Sequence, residues 1–183
     1  MKNITSKLFI LIAILTVSFS AAYSQARSGM DQRQVETKIR KEINKLPYYD
    51  VFDLIQFQLS SDGTVTLTGL VNEGSTRSGA VNRVKRIPGV TNVVNNIELS
   101  SLSRFDDQLR QQTYYALART GRLGAYLQGV NPSMRILVDN GHITLGGFVG
   151  TTQDANMAYI AARSVSGAFT VTNKLIADKD RIQ

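Results

Sequence analysis

Gly63-Thr-Val-Thr-Leu-Thr-Gly-Leu-Val71 returns 78 residues later as Gly141-His-Ile-Thr-Leu-Gly-Gly-Phe-Val149. The match continues without a gap, and residues 63–99 share nine identities in 37 positions with residues 141–177. Eight of the other pairs match an apolar residue with an apolar residue. A duplication of this length indicates a small domain that is used twice. We call the two repeats copy one and copy two.

Composition limits the chemistry that these copies can perform. The chain has 183 residues, of which 43% are hydrophobic, as is typical of a globular protein. Copies of roughly 70 residues lie near the lower limit for a self-sufficient core, so we expect them to pack on each other. There is no cysteine and one histidine, His142. This composition argues against disulfides, thiolate chemistry and a histidine metal site, and we expect no cofactor.

The N-terminus has the features of an export signal. Lys2 and Lys7 precede an apolar run of 12 residues, 8–19, which is short for a membrane span and is followed by small residues. We predict that residues 1–24 are a cleaved signal peptide and that residues 25–30 form a linker. A retained N-terminal anchor is the alternative.

The net charge of +7 is unevenly distributed, since residues 101–183 carry nine basic and six acidic side chains. An exported protein rarely meets nucleic acid, so we expect none as a partner. An anionic lipid surface or an acidic protein fits the charge better. A purely solubilising surface charge explains it equally well.

Hydrophobic spacing predicts the same element order in both copies: helix, strand, strand, helix, strand. In copy one an apolar stripe predicts the first helix, and it consists of Val35, Ile39, Ile43 and Leu46. Alternation over 55–59 and the Asp62-Gly63 turn predict a hairpin. A second helix is expected over 76–86 and a third strand over 90–99. Gly69 is expected at a bulge or a close backbone approach.

Copy two repeats this pattern with a longer connection over 121–133. Ser103 is the expected N-cap of its first helix, which ends near Arg119. The later elements are strands at 134–138, 143–149 and 169–176 and a helix over 154–165. The predicted domains are residues 31–100 and 103–178. Each is an α+β module in which two helices cover one face of a three-stranded mixed sheet.

The repeated motif Gly-x-Val/Ile-Thr-Leu-x-Gly-x-Val, followed after a helix by Gly-Val/Ala-x-x-Val-x-Asn, resembles the BON domain. Its turn and core positions are Gly63, Val65, Leu67, Gly69, Val71, Gly89, Val90, Val93 and Asn95, and in copy two Gly141, Ile143, Leu145, Gly147, Val149, Gly167, Val171 and Asn173. Copy two departs from the family's Pro-Gly-Val turn, because Ser166-Gly167-Ala168-Phe169 stands there.

The resemblance implies a fold, a periplasmic location in the cell envelope and a role in binding phospholipid or attaching to a membrane. A signal followed by two copies is similar to the periplasmic two-copy BON proteins of the osmotically induced type. That similarity implies a part in envelope integrity or stress resistance. The matching residues are scaffold positions, so they indicate the fold more strongly than a binding site.

The first helix of copy two is the sharpest candidate for a lipid-binding surface. Tyrosines alternate with arginines at helical spacing, and residues 108–138 contain no acid. These residues are Arg110, Tyr114, Tyr115, Arg119 and Arg122. Such rings suit the headgroup level of a bilayer, and guanidinium groups suit phosphates. In the alternative interpretation, one tyrosine packs against copy one and the arginines are solvated.

Two further features complete the candidate surface. Tyr126 and Leu127 could form an apolar tip in the long connection. Met157 and Ile160 replace Gly79 and Asn82 of copy one, which is most simply explained as an interface between the copies. The same apolar face underlies the alternative function, a protein-interaction or chaperone-like module that docks an envelope protein.

Catalysis has little support in this sequence. Adjacent carboxylates at Asp106 and Asp107 point about 100° apart on a helix and suit its first turn. His142 follows a hairpin glycine, where a solvent-facing position is expected. No Gly-x-Ser-x-Gly motif and no phosphate-binding loop is present. We therefore predict that the protein is not an enzyme.

Overall fold

A computed structural model describes residues 32–178, so the predicted signal peptide (1–24) and linker (25–30) lie outside the described residues. Copy one contains five elements in the predicted order. They are α1 (32–43), β1 (Leu54–Leu59), β2 (Thr64–Val71), α2 (Gly74–Val84) and β3 (Asn92–Leu99).

Copy two contains the same five elements and two more. They are α3 (Arg104–Ala118), α4 (Gly124–Leu127), β4 (Met134–Asp139), β5 (His142–Val149), α5 (Thr152–Arg163), β6 (Thr170–Asn173) and β7 (Ile176–Ala177). Helix α4 lies in the long connection, where no helix was predicted. The last strand is interrupted after Asn173, whose side-chain oxygen accepts a hydrogen bond from the Leu175 N–H (3.1 Å).

Both sheets are mixed, which confirms the predicted α+β class. Strand β2 pairs antiparallel with β1 and parallel with β3, and β5 does the same with β4 and β6. Strand β7 continues the parallel pairing with β5. The parallel partner follows α2 or α5, as a crossover connection requires.

Each copy has its own hydrophobic core between its sheet and its helices. In copy one the predicted helical stripe is confirmed, since Ile39, Ile43 and Leu46 are buried. They pack with inward-facing strand residues such as Val65 and Leu67. Alternation along the strands places one face of each sheet against these helices.

The six motif glycines, Gly63, Gly69, Gly89, Gly141, Gly147 and Gly167, all have positive φ angles. At Gly69 an added Cβ would lie 1.9 Å from the Leu54 carbonyl oxygen, and at Gly147 it would lie 2.1 Å from that of Ser133. The close backbone approach predicted at Gly69 is thus present, and copy two repeats it. No side chain fits at either position.

The segment between α1 and β1 joins the copies. The carbonyl of Val51 accepts a hydrogen bond from the Ile136 N–H (2.8 Å), and the Val51 side chain belongs to the core of copy two. The Arg135 guanidinium donates to the Asp50 carbonyl and lies 4.5 Å from the centre of the Tyr49 ring. Within residues 32–178, no helix has both the length and the apolar content needed to cross a bilayer.

Candidate functional site

Helix α3 is fixed in rotation by its cap and its buried side. The Ser103 hydroxyl accepts a hydrogen bond from the Asp106 N–H (3.4 Å), as predicted for the N-cap. Leu109, Thr113 and Leu117 are buried at a spacing of four residues. Asp106 and Arg110 are buried as well, so the solvent-facing side of the helix lies opposite these residues.

Tyr115 and Arg119 form an exposed pair one helical turn apart. Tyr115 is 55% exposed, and the Arg119 guanidinium carbon lies 5.8 Å from the centre of its ring. Arg119 is exposed and takes part in no ion pair within the described chain. The guanidinium stays available for an external anion while its planar face rests near the ring.

Tyr114 turns toward the joint between the copies. It is half-buried against the core of copy two, and its ring centre lies 6.4 Å from that of Phe52, which belongs to copy one. Its ring also meets Tyr115 edge-on at 5.9 Å. This arrangement matches the alternative in which one tyrosine packs against copy one.

Arg110 does not belong to an exposed surface, so its predicted placement there is wrong. Its side chain is buried, pairs with Asp107 (2.5 Å) and donates to the Val138 carbonyl (2.8 Å). The buried side of α3 places Arg110 beside the edge of β4. There its long side chain can donate to a main-chain carbonyl that no neighbouring strand bonds. Arg110 therefore closes a sheet edge.

Arg122 and Tyr126 meet at a buried carboxylate. Asp154 accepts hydrogen bonds from Arg122 Nε (3.1 Å) and Nη2 (2.7 Å), from the Tyr126 hydroxyl (2.9 Å) and from the Thr151 hydroxyl (2.8 Å). Chiefly because Arg122 donates to it, the pKa of Asp154 lies well below its usual range. This network fastens the long connection to the start of α5.

The predicted apolar tip at Tyr126 and Leu127 is therefore wrong. Leu127 is buried in the core of copy two, and the Tyr126 hydroxyl also accepts from the Gly150 N–H (3.0 Å). Helix α4 turns both side chains inward. Arg122 remains largely exposed, but its guanidinium is held by Asp154.

Helix α5 contributes a second exposed group. Ile160 is 67% exposed, whereas Met157 is half-buried against the core of copy two. The predicted interface between the copies at these residues is wrong, because the joint is made by the segment around Val51. Ile160 is thus left without the neighbour that was expected to cover it.

A second Tyr–Arg pair lies beside Ile160, and sequence reasoning missed it as a site. The Arg163 guanidinium carbon lies 5.7 Å from the centre of the Tyr159 ring. The signal was present, since the spacing of four residues equals that of Tyr115 and Arg119. Helices α3 and α5 pack against each other. We call the two Tyr–Arg pairs and Ile160 the helical-layer patch: Tyr115, Arg119, Tyr159, Ile160 and Arg163. Of these residues only Tyr159 is half-buried, and the others are exposed.

The adjacent carboxylates of α3 have structural partners. Asp106 is buried and accepts from the N–H groups of Gly141 (2.8 Å) and Asn140 (2.9 Å) and from the Ser101 hydroxyl. Burial alone would raise the pKa of Asp106, but these hydrogen bonds outweigh it and hold the pKa below its usual value. Asp106 thereby holds the β4–β5 turn against α3.

An exposed aromatic cluster at the other end of α3 was also missed. The ring centre of Phe169, which is 71% exposed, lies 6.1 Å from that of Phe105 and 5.8 Å from that of His142. His142 is solvent-facing, as expected, and Leu102 is fully exposed. Phe169 stands where copy two departs from the Pro-Gly-Val turn, and that departure could have indicated the cluster.

Within residues 32–178, no three histidine or acidic side chains converge as they would around a metal ion. Two exposed surfaces of copy two are the candidate contacts, the helical-layer patch and the aromatic cluster. The first combines cations with aromatic and aliphatic surface, and the second is mainly aromatic. Non-covalent contact is the chemistry available to both.

Comparison with known proteins identifies the fold of both copies. The BON domain family model matches residues 31–101 and 105–179. No curated protein sequence matches the chain. Among solved structures, the C-terminal domain of CdsD, a structural protein of the type III secretion system of Chlamydia trachomatis, is similar. It has a TM-score of 0.31 at 11% identity, over 77% of this chain and 96% of that one. A second CdsD structure has a TM-score of 0.31 at 12% identity, over 81% and 95%.

Proposed function

Because the chain belongs to the BON domain family, we propose that it is a non-enzymatic protein of the cell envelope that binds anionic phospholipid surfaces peripherally. Contact is made through the helical-layer patch of copy two. The protein is exported to the periplasm and supports envelope integrity or stress resistance. The family is one of non-catalytic binding domains, which fits the absence of a catalytic motif in the sequence.

The observation that carries this proposal is that two Tyr–Arg pairs lie on the packed helices α3 and α5, the second of them beside the exposed Ile160. Each aromatic ring can lie at the headgroup level, while the neighbouring guanidinium donates to a lipid phosphate. Ile160 can enter the acyl boundary, as apolar residues of interfacial helices do. Copy one has Asn82 and Lys85 at the positions of Ile160 and Arg163, so it lacks the apolar part of the patch.

The expected binding is weak and sensitive to salt. A basic residue near an anionic membrane contributes about 1 kcal/mol, and this attraction decays within a Debye length of roughly 8 Å at physiological ionic strength. Two arginines and one exposed isoleucine together contribute only a few kcal/mol. Reversible, peripheral contact follows from these magnitudes.

Vesicle flotation tests the proposal. The exported, purified protein is floated with anionic and with zwitterionic vesicles, at low and at physiological salt. Flotation with anionic vesicles alone, weakening with salt, is expected. Absence of flotation with anionic vesicles at low salt would reject lipid binding.

Paired variants locate the contact. Arg119→Gln with Arg163→Gln should abolish flotation, because both patch cations are removed. Phe105→Ala with Phe169→Ala is the matched control, since it removes exposed aromatic surface about 15 Å away along α3. If the control variant loses flotation and the arginine variant keeps it, the aromatic cluster is the contact and the patch is not.

The exposure of Ile160 favours a second candidate function, docking of an envelope protein on α5. An aliphatic side chain that is 67% exposed on a helix surface is suited to a partner's apolar surface. In cells, Ile160→Asp would then release a crosslinked protein partner while flotation is unaffected. Loss of flotation without any change in crosslinked proteins supports the lipid proposal instead.

A further inference from the structure

The outer edge of β1 has unused main-chain hydrogen-bonding groups. Ser60 pairs with Thr64 through its N–H (2.9 Å), and the alternation of an antiparallel ladder then directs Gln58 and Gln56 toward β2. The N–H and carbonyl groups of Phe57 therefore point away from the sheet, as do those of its neighbours two residues along. Within residues 32–178, neither Phe57 group has a hydrogen-bond partner.

Two side chains confirm this orientation at the ends of the strand. The Ile55 N–H donates to the Tyr49 hydroxyl (3.0 Å), and the Leu59 carbonyl accepts from Gln32 Nε2 (3.3 Å). Between these two contacts, the described residues leave four groups open. They are the Ile55 carbonyl, the Phe57 N–H, the Phe57 carbonyl and the Leu59 N–H.

Copy two shows how such an edge is closed. By their pairing with Leu67 and Leu145, Phe57 of copy one corresponds to Ile136 of copy two. The Ile136 N–H donates to the carbonyl of Val51, which lies in a turn of the connection between α1 and β1. Arg110 covers the Val138 carbonyl, as Gln32 covers that of Leu59. The main difference is that the backbone at Val51 bonds to the β4 edge, whereas among the described residues only the side chains of Tyr49 and Gln32 bond to the β1 edge.

The open edge faces a cleft of about 960 Å³ between the two copies. Residues 54–60 line one side along their whole length, about 20 Å of strand. The outer face of the second sheet lines the other side and includes the apolar side chains of Leu137 and Ile176. A cleft bounded by a strand edge and an apolar wall has the form used in β-strand addition.

Charge indicates the kind of strand that fits. The cleft is lined by three basic side chains, Arg40, Arg135 and Lys174, and by one acidic side chain, Glu36. Arg40 and Lys174 are exposed, and neither takes part in an ion pair within the described chain. An occupant with acidic side chains would match this excess.

We propose that copy one binds an extended acidic peptide segment of a partner protein, which adds as a strand to the edge of β1 inside this cleft. Main-chain bonds to Ile55, Phe57 and Leu59 give the segment its position. Arg40 and Lys174 select for acidic side chains. The site lies away from the helical-layer patch, so peptide binding and lipid binding can be tested independently of each other.

The probe is a blocked heptapeptide of alternating valine and glutamate, titrated into the purified, isotope-labelled protein and followed by NMR. The amides of Phe57 and Leu59 should shift and become protected from hydrogen exchange. Those of Gln56 and Gln58, which point toward β2, should be protected with or without the peptide. If the Phe57 and Leu59 amides are already protected in the free protein, another part of the chain occupies the edge and the proposal is overturned.

Matched peptides and variants separate strand addition from simple charge attraction. Two peptides methylated on alternate amide nitrogens keep the same charge. One of the two isomers should lose binding, and equal binding of both contradicts strand addition.

Arg40→Glu with Lys174→Glu should weaken binding of the valine–glutamate peptide about tenfold. Lys38→Glu with Lys85→Glu changes the net charge equally outside the cleft and should leave binding unchanged. Equal losses in the two double variants, or equal binding of a valine–lysine peptide, would overturn the proposal.

Discussion

Copy one and copy two share a scaffold and differ in what they expose. Both have the close backbone approach at the second motif glycine, the same mixed sheet and helices on one face. At matched positions copy one has Val81, Asn82 and Lys85 where copy two has Tyr159, Ile160 and Arg163. A duplicated domain can therefore keep its core while one copy acquires an aromatic and aliphatic surface beside a basic residue that both copies have.

The copies also differ in how their second helices begin. Thr76 of copy one is buried, and its hydroxyl has no hydrogen-bond partner among the described residues. The matched residue of copy two is Asp154, which accepts hydrogen bonds from Arg122 and Tyr126 of the long connection. The added length of that connection is thus accompanied by a polar anchor that copy one lacks.

The largest expected effect tests the shared scaffold. Gly147→Ala should destabilise the protein by roughly 3–4 kcal/mol, because the new Cβ would meet the Ser133 carbonyl at 2.1 Å. This corresponds to a fall of about 10 °C in the thermal midpoint. Gly69→Ala should have a similar effect in copy one. Gly129→Ala is the control, since its φ is also positive but nothing lies within 4 Å, and it should cost only about 1 kcal/mol. Equal midpoints for Gly147→Ala and Gly129→Ala would show that the close approach is unimportant.

The next effect concerns the polar anchor of copy two. Asp154→Asn should lower the free energy of unfolding by about 2 kcal/mol at pH 7, since the charge that holds Arg122 is lost. Because the pKa of Asp154 is lowered in the folded state, its contribution is present above the ordinary aspartate pKa of about 3.9 and is lost as the pH falls below it. The variant should thus differ from the parent at pH 7 and approach it in strong acid. Chemical denaturation measures both.

Glu42→Gln in copy one is the matched control for that anchor. Its carboxylate pairs with Lys45 and Arg83 but stays open to solvent, so the substitution should lower the free energy of unfolding much less than Asp154→Asn does. If Glu42→Gln lowers the free energy of unfolding as much as Asp154→Asn does, the polar anchor of copy two is no stronger than this exposed pairing in copy one.

An effect with the opposite pH dependence is expected at Asp53 of copy one. Burial, assisted by the nearby Asp50, raises the pKa of Asp53 to about 6. A raised pKa means that the folded state binds the proton more tightly, so stability is greatest near pH 4 and falls as the pH rises through about 6. Asp53→Asn should abolish this fall in stability, because an amide does not titrate. The amide oxygen can still accept the hydrogen bond from the Asn72 N–H (2.8 Å). Thermal midpoints between pH 4 and pH 7 test this, and parallel profiles for parent and variant would contradict it.

The fold followed from sequence because its signals are local. Hydrophobic stripes, the Asp62-Gly63 turn and the repeat itself gave the element order and the sheet composition. The break between β6 and β7 and helix α4 were missed, since both depend on contacts that arise only after folding. The Asn173 side chain donates to the Ala155 carbonyl of α5 (3.0 Å), and Asp154 accepts a hydrogen bond from Tyr126 of α4.

The candidate surface was only partly predictable, because helical spacing does not show which polar side chain meets a distant backbone group. Arg110 and Arg122 look alike in sequence, yet one covers the Val138 carbonyl and the other binds Asp154. Tyr115 and Arg119 remained on the surface. The Tyr159–Arg163 pair has the same spacing and could have been found from the sequence.

The comparison between the copies leads directly to the decisive experiment, which gives copy two the residues of copy one. The triple variant Tyr159→Val, Ile160→Asn, Arg163→Lys gives α5 the residue types that copy one has at positions 81, 82 and 85. The basic charge at position 163 is kept. Flotation with anionic vesicles at low salt is then compared with that of the parent, with circular dichroism as the folding control. We predict that the folded variant loses flotation. Undiminished flotation would show that the surface specific to copy two does not bind lipid.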